Sequence, residues 1–130
     1  MKYLGIDYGT KGIGIAISDE RGGFAFPKET IANGAQAVER IAEMVVREKV
    51  EAIVFGDTRA INGRENLVTP EAEKFAEALE VRAAIPVYRV NEAWSTVEAA
   101  RYAPKGKEHD DAAAAAIILQ RYLDVHTKTD

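Results

Sequence analysis

The sequence contains no cysteine and only two histidines, His109 and His126, among its 130 residues. Disulfides and thiolate zinc sites are therefore excluded, and two histidines are too few for a histidine-based metal site. Any metal ion would have to be held by oxygen ligands, which indicates magnesium or manganese.

The chain also lacks long hydrophobic runs and an excess of basic residues. No apolar run approaches the roughly 20 residues that span a bilayer. The chain begins directly with a strand-like segment, without the basic and apolar regions of an export signal. We therefore expect a cytoplasmic protein with no membrane partner. The net charge of −4 disfavours a protein that coats nucleic acid, but it does not exclude an enzyme with carboxylates in its site and cations at its rim.

The length and the apolar pattern predict a single α/β domain over residues 1–130. Apolar residues at period two predict a three-strand antiparallel meander, with Pro27 at an edge or a bulge. Crossovers through helices then add parallel strands, which predicts a mixed five-stranded sheet with helices on both faces. The predicted strands cover 2–7, 13–19, 24–31, 51–55 and 86–90, and the predicted helices cover 35–49, a segment from 69, a short segment from 95, and 110–124.

Residues 5–19, GIDYGTKGIGIAISD, place Asp7 at the end of an apolar strand and follow it with glycines. Gly9, Gly12 and Gly14 reverse the spacing of the dinucleotide fingerprint and open a strand rather than a helix. An Asp-x-Gly at a strand end also begins actin-like and sugar-kinase ATPases, but those folds need a second lobe that this length does not accommodate. A purely structural alternative is that turn amides satisfy the Asp7 carboxylate.

The same stretch resembles the opening motif of the YqgF/RuvX family, Holliday junction resolvases also described as pre-16S rRNA nucleases. The resemblance continues in the family's order through VFGDTRAINGRE, FAEAL, NEAWSTVEAA and DDAAAAAIILQRYLD, over nearly the whole chain. It implies an RNase H-like fold. It also implies a metal-dependent endonuclease that acts on structured nucleic acid, either an rRNA precursor or branched DNA.

The resemblance further implies a site of three carboxylates that bind the metal ions. Asp7 matches the aspartate of the family's first strand, and Glu92 matches the glutamate of its Asp-Glu-Arg-x-Thr-Thr motif. Asp111 matches the aspartate that opens the last helix, nine residues before Gln120, and Asp110 is the neighbouring alternative.

Elementary physics is compatible with these three carboxylates. Asp7 and Glu92 each follow an apolar strand, and parallel strands bring their carboxyl ends to one edge of a sheet. Asp111 would be held by the free amides and dipole of a helix N-terminus, although simple helix capping is an alternative for Asp110 and Asp111. Three converging carboxylates repel one another unless divalent cations bind. Two such ions about 4 Å apart can activate a water and stabilise the leaving oxygen of an in-line displacement at phosphorus.

Five cations lie in predicted turns or loops, where they are candidates for contact with a phosphate backbone. They are Lys11, Arg59, Arg64, Lys105 and Lys107. The alternative for each is an ordinary solvated side chain. The sequence assigns no role to Asp19.

Several positions depart from the family's pattern, and three of them remove charged residues that the family has near its site. Gly12 stands where the family has an arginine, and Asn91 and Ala93 replace the aspartate and arginine that flank the matched glutamate. Loss of an arginine near a scissile phosphate removes stabilisation of transition-state charge. The rival hypothesis is therefore a nucleic-acid- or ribosome-associated binding module of the same fold that cleaves nothing. The sequence does not separate RNA from DNA substrates or a monomer from a homodimer, the state that a two-fold junction would require.

Overall fold

The computed structural model describes residues 1–56, 70–90 and 111–126. Its elements are β1 (Tyr3–Asp7), β2 (Gly12–Ser18), β3 (Ala25–Ala32), α1 (Ala37–Glu48), β4 (Ala52–Gly56), α2 (Pro70–Ala83), β5 (Val87–Val90) and α3 (Asp111–His126). Their order is the predicted one, and the short helix predicted from residue 95 lies outside the described residues. Within the described ranges, no helix has the length and apolar character needed to cross a bilayer.

The five strands form one sheet in the order β3-β2-β1-β4-β5. The β1–β2 and β2–β3 pairs are antiparallel, whereas β4 runs parallel to both β1 and β5. The predicted mixed sheet is therefore confirmed. Register places Asp7 beside Gly56 and Gly56 beside Val90, so β1, β4 and β5 end at the same edge. We call this the site edge.

Pro27 lies where both parts of its prediction place it, on an edge strand and at an irregularity. In the β2–β3 ladder, Ile15 pairs with Glu29 while Ala16 pairs with Pro27, so β3 carries one extra residue at this point. Proline has no N–H to donate, and an edge strand at a bulge is a position that tolerates this loss.

The two faces of the sheet are covered by different helices. One core lies between the sheet and α1 and α2, and it includes Leu4, Ile6, Phe55 and Leu79. The opposite core lies under α3 and includes the buried Ile118, Leu119 and Leu123 of that helix. The prediction of helices on both faces is confirmed.

The predicted buried stripe of α1 is wrong at one position. The helical spacing of apolar residues over 38–46 predicts a buried stripe that includes Ile41, Val45 and Val46. The Val46 side chain, however, is 77% exposed. It lies about 100° around the helix from Val45, on the far margin of the buried face. Ala37 and Met44 are buried instead, because they lie on the other side of the same stripe.

Asp19 organises the turn between β2 and β3. Its Oδ1 accepts hydrogen bonds from the amides of Gly23 (2.8 Å) and Phe24 (3.2 Å). The backbone amides hold the pKa of Asp19 below its ordinary value of 3.8, because they stabilise the charged carboxylate. Asp19 is therefore a turn residue, a role that the sequence pattern did not show.

Asp19→Ala is expected to reduce stability at neutral pH and to lose this effect in acid. The folded-state pKa lies below the unfolded one, so the contribution is full above about pH 4 and disappears as the pH falls through the lowered value. Urea unfolding from pH 7 to pH 2 measures it, with Glu77→Ala on α2 as a matched exposed control. A difference between wild type and Asp19→Ala that stays constant down to pH 2 would contradict this role.

Candidate active site at the carboxyl edge of the sheet

Asp7 is the last residue of β1 and is only 2% exposed. It lies between β2 and β4, where its register partners are Gly14 and Gly56. A buried carboxylate is costly unless hydrogen bonds or cations compensate its charge. The Asp7 backbone is paired with β2 on one side and with β4 on the other. The site edge therefore carries a rigidly placed carboxylate.

Asp111 begins α3 and reaches the same edge. A Cβ atom built on Gly14 would overlap the main-chain carbonyl of Asp111, so the helix start lies directly on β2. Gly14 is also the register partner of Asp7. The two aspartates therefore both adjoin one glycine, although they are 104 positions apart in the sequence. The structure brings these two predicted site residues to one place, and their catalytic role stays a prediction.

Glycines in three neighbouring strands allow α3 to lie this close to the sheet. A Cβ on Gly5 of β1 would come within 2.8 Å of Leu119 Cβ, and a Cβ on Gly56 of β4 within 3.0 Å of Ile118 Cδ1. Together with Gly14 of β2, these positions form a surface without side chains, which we call the glycine floor. The close packing of α3 on this floor sets the height of Asp111 above the sheet.

Gly12 is the second glycine next to Asp111. A Cβ at this position would lie 3.0 Å from Asp111 Oδ2 and 3.3 Å from Thr30 Cγ2. A side chain at position 12, such as the arginine expected from the family pattern, would therefore start against the Asp111 carboxylate. Because residue 12 is a glycine in this chain, it places no basic side chain beside the Asp111 carboxylate.

Tyr8 anchors the main chain directly after Asp7. Its ring is 4% exposed and packs against Phe75 and Phe55, with centroid distances of 5.1 and 5.9 Å. Its amide donates to the carbonyl of Gly56 (2.9 Å), which continues the β1–β4 ladder one residue beyond Asp7. The Asp7 backbone is thus held on both sides by ordered residues.

Lys11 is exposed in the turn between β1 and β2. The turn is tight, since a Cβ on Gly9 would overlap the carbonyl of Gly12. The side-chain Nδ2 of Asn33 donates to the Gly9 carbonyl (2.7 Å), and the main-chain N–H of Asn33 donates to the Lys11 carbonyl (2.9 Å). The sequence did not indicate this role of Asn33, because a polar residue after a strand is an ordinary turn signal.

Gln120 ties the middle of α3 to the β2–β3 turn. Its Oε1 accepts from the Ala25 amide (2.9 Å), while its Nε2 donates to the Gly23 carbonyl (3.0 Å) and to Asp124 Oδ1 (3.1 Å). In the sequence, Gln120 served only as the reference position from which Asp111 was matched to the family motif. The structure shows that it fixes α3 along its axis and relative to β3.

The remaining predicted site residues lie outside the described residues. These are Arg59, Arg64, Glu92, Lys105, Lys107 and Asp110. In the sequence, Glu92 comes two positions after Val90, the last residue of β5. Among the residues that the structure describes, no three acidic or histidine side chains form a group able to hold a metal ion. The structure therefore describes two of the three predicted carboxylates, Asp7 and Asp111, and the third, Glu92, stays a prediction.

Comparison with known proteins identifies the family. The family model described as RuvX: Holliday junction resolvase matches residues 1–125. The chain belongs to the RuvX family. It is 36% identical to a "Putative pre-16S rRNA nuclease" of Maridesulfovibrio salexigens, over 95% of this chain and 98% of the relative. It is 41% identical to a protein of the same description from Leifsonia xyli, over 97% of this chain and 87% of the relative.

Solved structures confirm the fold of this RuvX family member. Thermus thermophilus RuvC superposes with a TM-score of 0.59 at 20% identity, covering 99% of this chain and 98% of RuvC. The same protein in complex with a Holliday junction substrate gives a TM-score of 0.58 at 18% identity, covering 99% and 97% of the two chains. The predicted RNase H-like fold and the predicted membership of a nuclease family are confirmed.

Proposed function

We propose that residues 1–130 form a single metal-dependent endonuclease domain that hydrolyses phosphodiester bonds in structured nucleic acid. The observation that carries this proposal is the meeting of Asp7 and Asp111 beside Gly14 at the site edge. The descriptions of the relatives favour an rRNA precursor as the substrate, and the family description favours a four-way DNA junction.

The donor chemistry at the site edge fits a hard divalent cation. Carboxylate oxygens are the ligands that Mg²⁺ and Mn²⁺ prefer, and a cation would compensate the buried charge of Asp7. Asp7, Glu92 and Asp111 would hold the ions, with Asp110 as the alternative to Asp111. When bound, the ions would supply Lewis acidity toward the phosphodiester and lower the pKa of a water nucleophile.

The chain itself supplies rigid placement and positive charge. Asp7 is held on a central strand, and Asp111 is held by a helix packed on the glycine floor, so neither carboxylate needs large reorganisation. Lys11 lies exposed in the turn that follows Asp7, where it can contact a backbone phosphate. Arg59, Arg64, Lys105 and Lys107 are the further candidates for phosphate contacts.

A cleavage assay tests the proposed function. The purified protein is incubated with Mg²⁺ or Mn²⁺ and either a 5′-extended 16S rRNA precursor fragment or a four-way DNA junction. Metal-dependent cleavage at defined positions of one substrate is expected, and it also identifies the substrate class. Intact substrates in every metal condition would contradict the proposal.

Manganese is expected to raise the melting temperature of the protein, because it relieves repulsion between the site carboxylates. Metal at about ten times its Kd adds about 1.4 kcal/mol of stability, which corresponds to a rise of about 5 °C for a domain of this size. Scanning calorimetry with EDTA or Mn²⁺ measures the shift. Asp7→Asn is expected to lose most of it, and an equal shift in that variant would place the metal elsewhere.

The second candidate is a binding module of the same fold without cleavage activity. It is favoured by Gly12, which leaves the Asp111 carboxylate without the neighbouring arginine of the family pattern, and by the replacements at Asn91 and Ala93. Tight binding of the RNA or the junction without any cleavage would support this candidate over the nuclease.

A further inference from the structure

The turn between β1 and β2, residues 8–11, connects the two strand ends that adjoin Asp7 and Asp111. It begins after Asp7 and leads to Gly12, whose Cα faces the Asp111 carboxylate. Its one ionisable cation, Lys11, is exposed, so the ammonium is available to a phosphate at the site edge. We call residues 8–11 the site hairpin.

Asn33 holds the site hairpin with two separate donors. Its side-chain Nδ2 donates to the Gly9 carbonyl at 2.7 Å, and its main-chain N–H donates to the Lys11 carbonyl at 2.9 Å. Asn33 follows Ala32, which pairs with Gly12 in the β2–β3 ladder. The two bonds therefore attach both the start and the end of the hairpin to the end of β3.

We propose that Asn33 is a positioning residue that holds the site hairpin so that Lys11 meets a phosphate of the bound nucleic acid. This inference rests on the proposed function. The lysine side chain is flexible and carries a point charge at its end. Before substrate binds, the protein can fix the backbone of Lys11 but not its ammonium group. A fixed backbone reduces the ordering cost when substrate binds, and this reduction appears as affinity.

The position of Asn33 separates this role from general support of the fold. Asn33 is only half-buried and is not part of either hydrophobic core. The strand pairing of β2 with β3 and the packing of Tyr8 hold the neighbouring backbone without the Asn33 side chain. Removal of the side chain should therefore affect the site hairpin more than the fold.

A double-mutant cycle tests the inference through binding rather than cleavage. Affinities of a fluorescein-labelled four-way DNA junction and of a labelled RNA hairpin are measured in EDTA, over a range of salt concentrations. The proteins are wild type, Asn33→Ala, Lys11→Ala and the double variant. Gln36→Ala serves as the matched control, because it removes an exposed amide side chain nearby that makes no capping hydrogen bond.

Lys11→Ala is expected to weaken binding about tenfold and Asn33→Ala about threefold, in line with the usual worth of charged and neutral hydrogen bonds. The double variant should bind no more weakly than Lys11→Ala alone, because Asn33 acts through Lys11. The slope of log K against log salt should fall by about 0.9 for Lys11→Ala and by part of that for Asn33→Ala. Gln36→Ala should match wild type.

The outcomes separate this inference from the proposed function. If wild type binds neither probe in EDTA, the inference is overturned, whereas the proposed function is decided by the cleavage assay with Mg²⁺ or Mn²⁺. If Lys11→Ala weakens binding but Asn33→Ala does not, or if the two effects are additive, only the inference is overturned. Should Asn33→Ala fold poorly, Asn33→Asp keeps the side-chain shape while removing the donor, and wild-type affinity in that variant would also overturn it.

Discussion

Replacement of Asp7 by asparagine is expected to lower the rate of metal-dependent cleavage by about a thousandfold or more. The asparagine keeps the shape of a side chain that is 2% exposed, but it removes the negative charge that would hold the cation. Loss of metal-assisted stabilisation of the transition state costs several kcal/mol, which corresponds to a rate loss of this size. The fold should survive, because the substitution also removes a buried charge.

Single-turnover cleavage rates and melting temperatures in EDTA measure this prediction. Asp124→Asn is the matched control, since it makes the same change on an exposed residue of α3, far along the helix from Asp111. We expect Asp124→Asn to cleave at the wild-type rate and Asp7→Asn to melt no lower than wild type. Cleavage that persists unchanged in Asp7→Asn would show that the proposed site is wrong.

Gly14→Ala is expected to destabilise the protein by about 3 kcal/mol and to reduce cleavage beyond what the loss of stability explains. The added Cβ would overlap the Asp111 carbonyl and lie 2.9 Å from the Ala112 amide, and neither is the end of a flexible side chain. The start of α3 must therefore move, at a cost typical of an overpacked core. A displacement of about 1 Å at a catalytic group can cost a hundredfold in rate.

Urea unfolding and single-turnover rates at a temperature where the variant is folded separate the two effects. Gly23→Ala is the matched control, because a Cβ there meets no atom within 4 Å. Its stability should stay within about 0.5 kcal/mol of wild type. If Gly14→Ala is as stable and as active as Gly23→Ala, the glycine floor does not position Asp111.

The order of the elements was predictable because each one carries its signal locally. Period-two and helical spacing of apolar residues marked the strands and helices, and the one error in α1, Val46, lies at the margin of the buried stripe. Pro27 was placed correctly because its missing N–H restricts it to edges and bulges.

The contacts that position the site were not predictable, because they join residues far apart in the sequence. In the sequence, Gly14 is simply a small residue in a predicted strand. Only the structure shows that the start of α3 packs where a side chain at position 14 would lie. Gln120 and Asn33 form hydrogen bonds across 95 and 24 residues, and nothing in the local pattern distinguishes them from surface amides. The strand-end position of Asp7 was predictable from local structure, whereas Asp111 was preferred to Asp110 through the family resemblance and its spacing from Gln120.

Anomalous diffraction from crystals grown with Mn²⁺ is the most direct test of the proposed metal site. The predicted result is a manganese peak in contact with carboxylate oxygens of both Asp7 and Asp111, which is lost in Asp7→Asn crystals grown in the same way. Manganese bound elsewhere, or in contact with only one of these two aspartates, would contradict a shared metal site at this edge of the sheet.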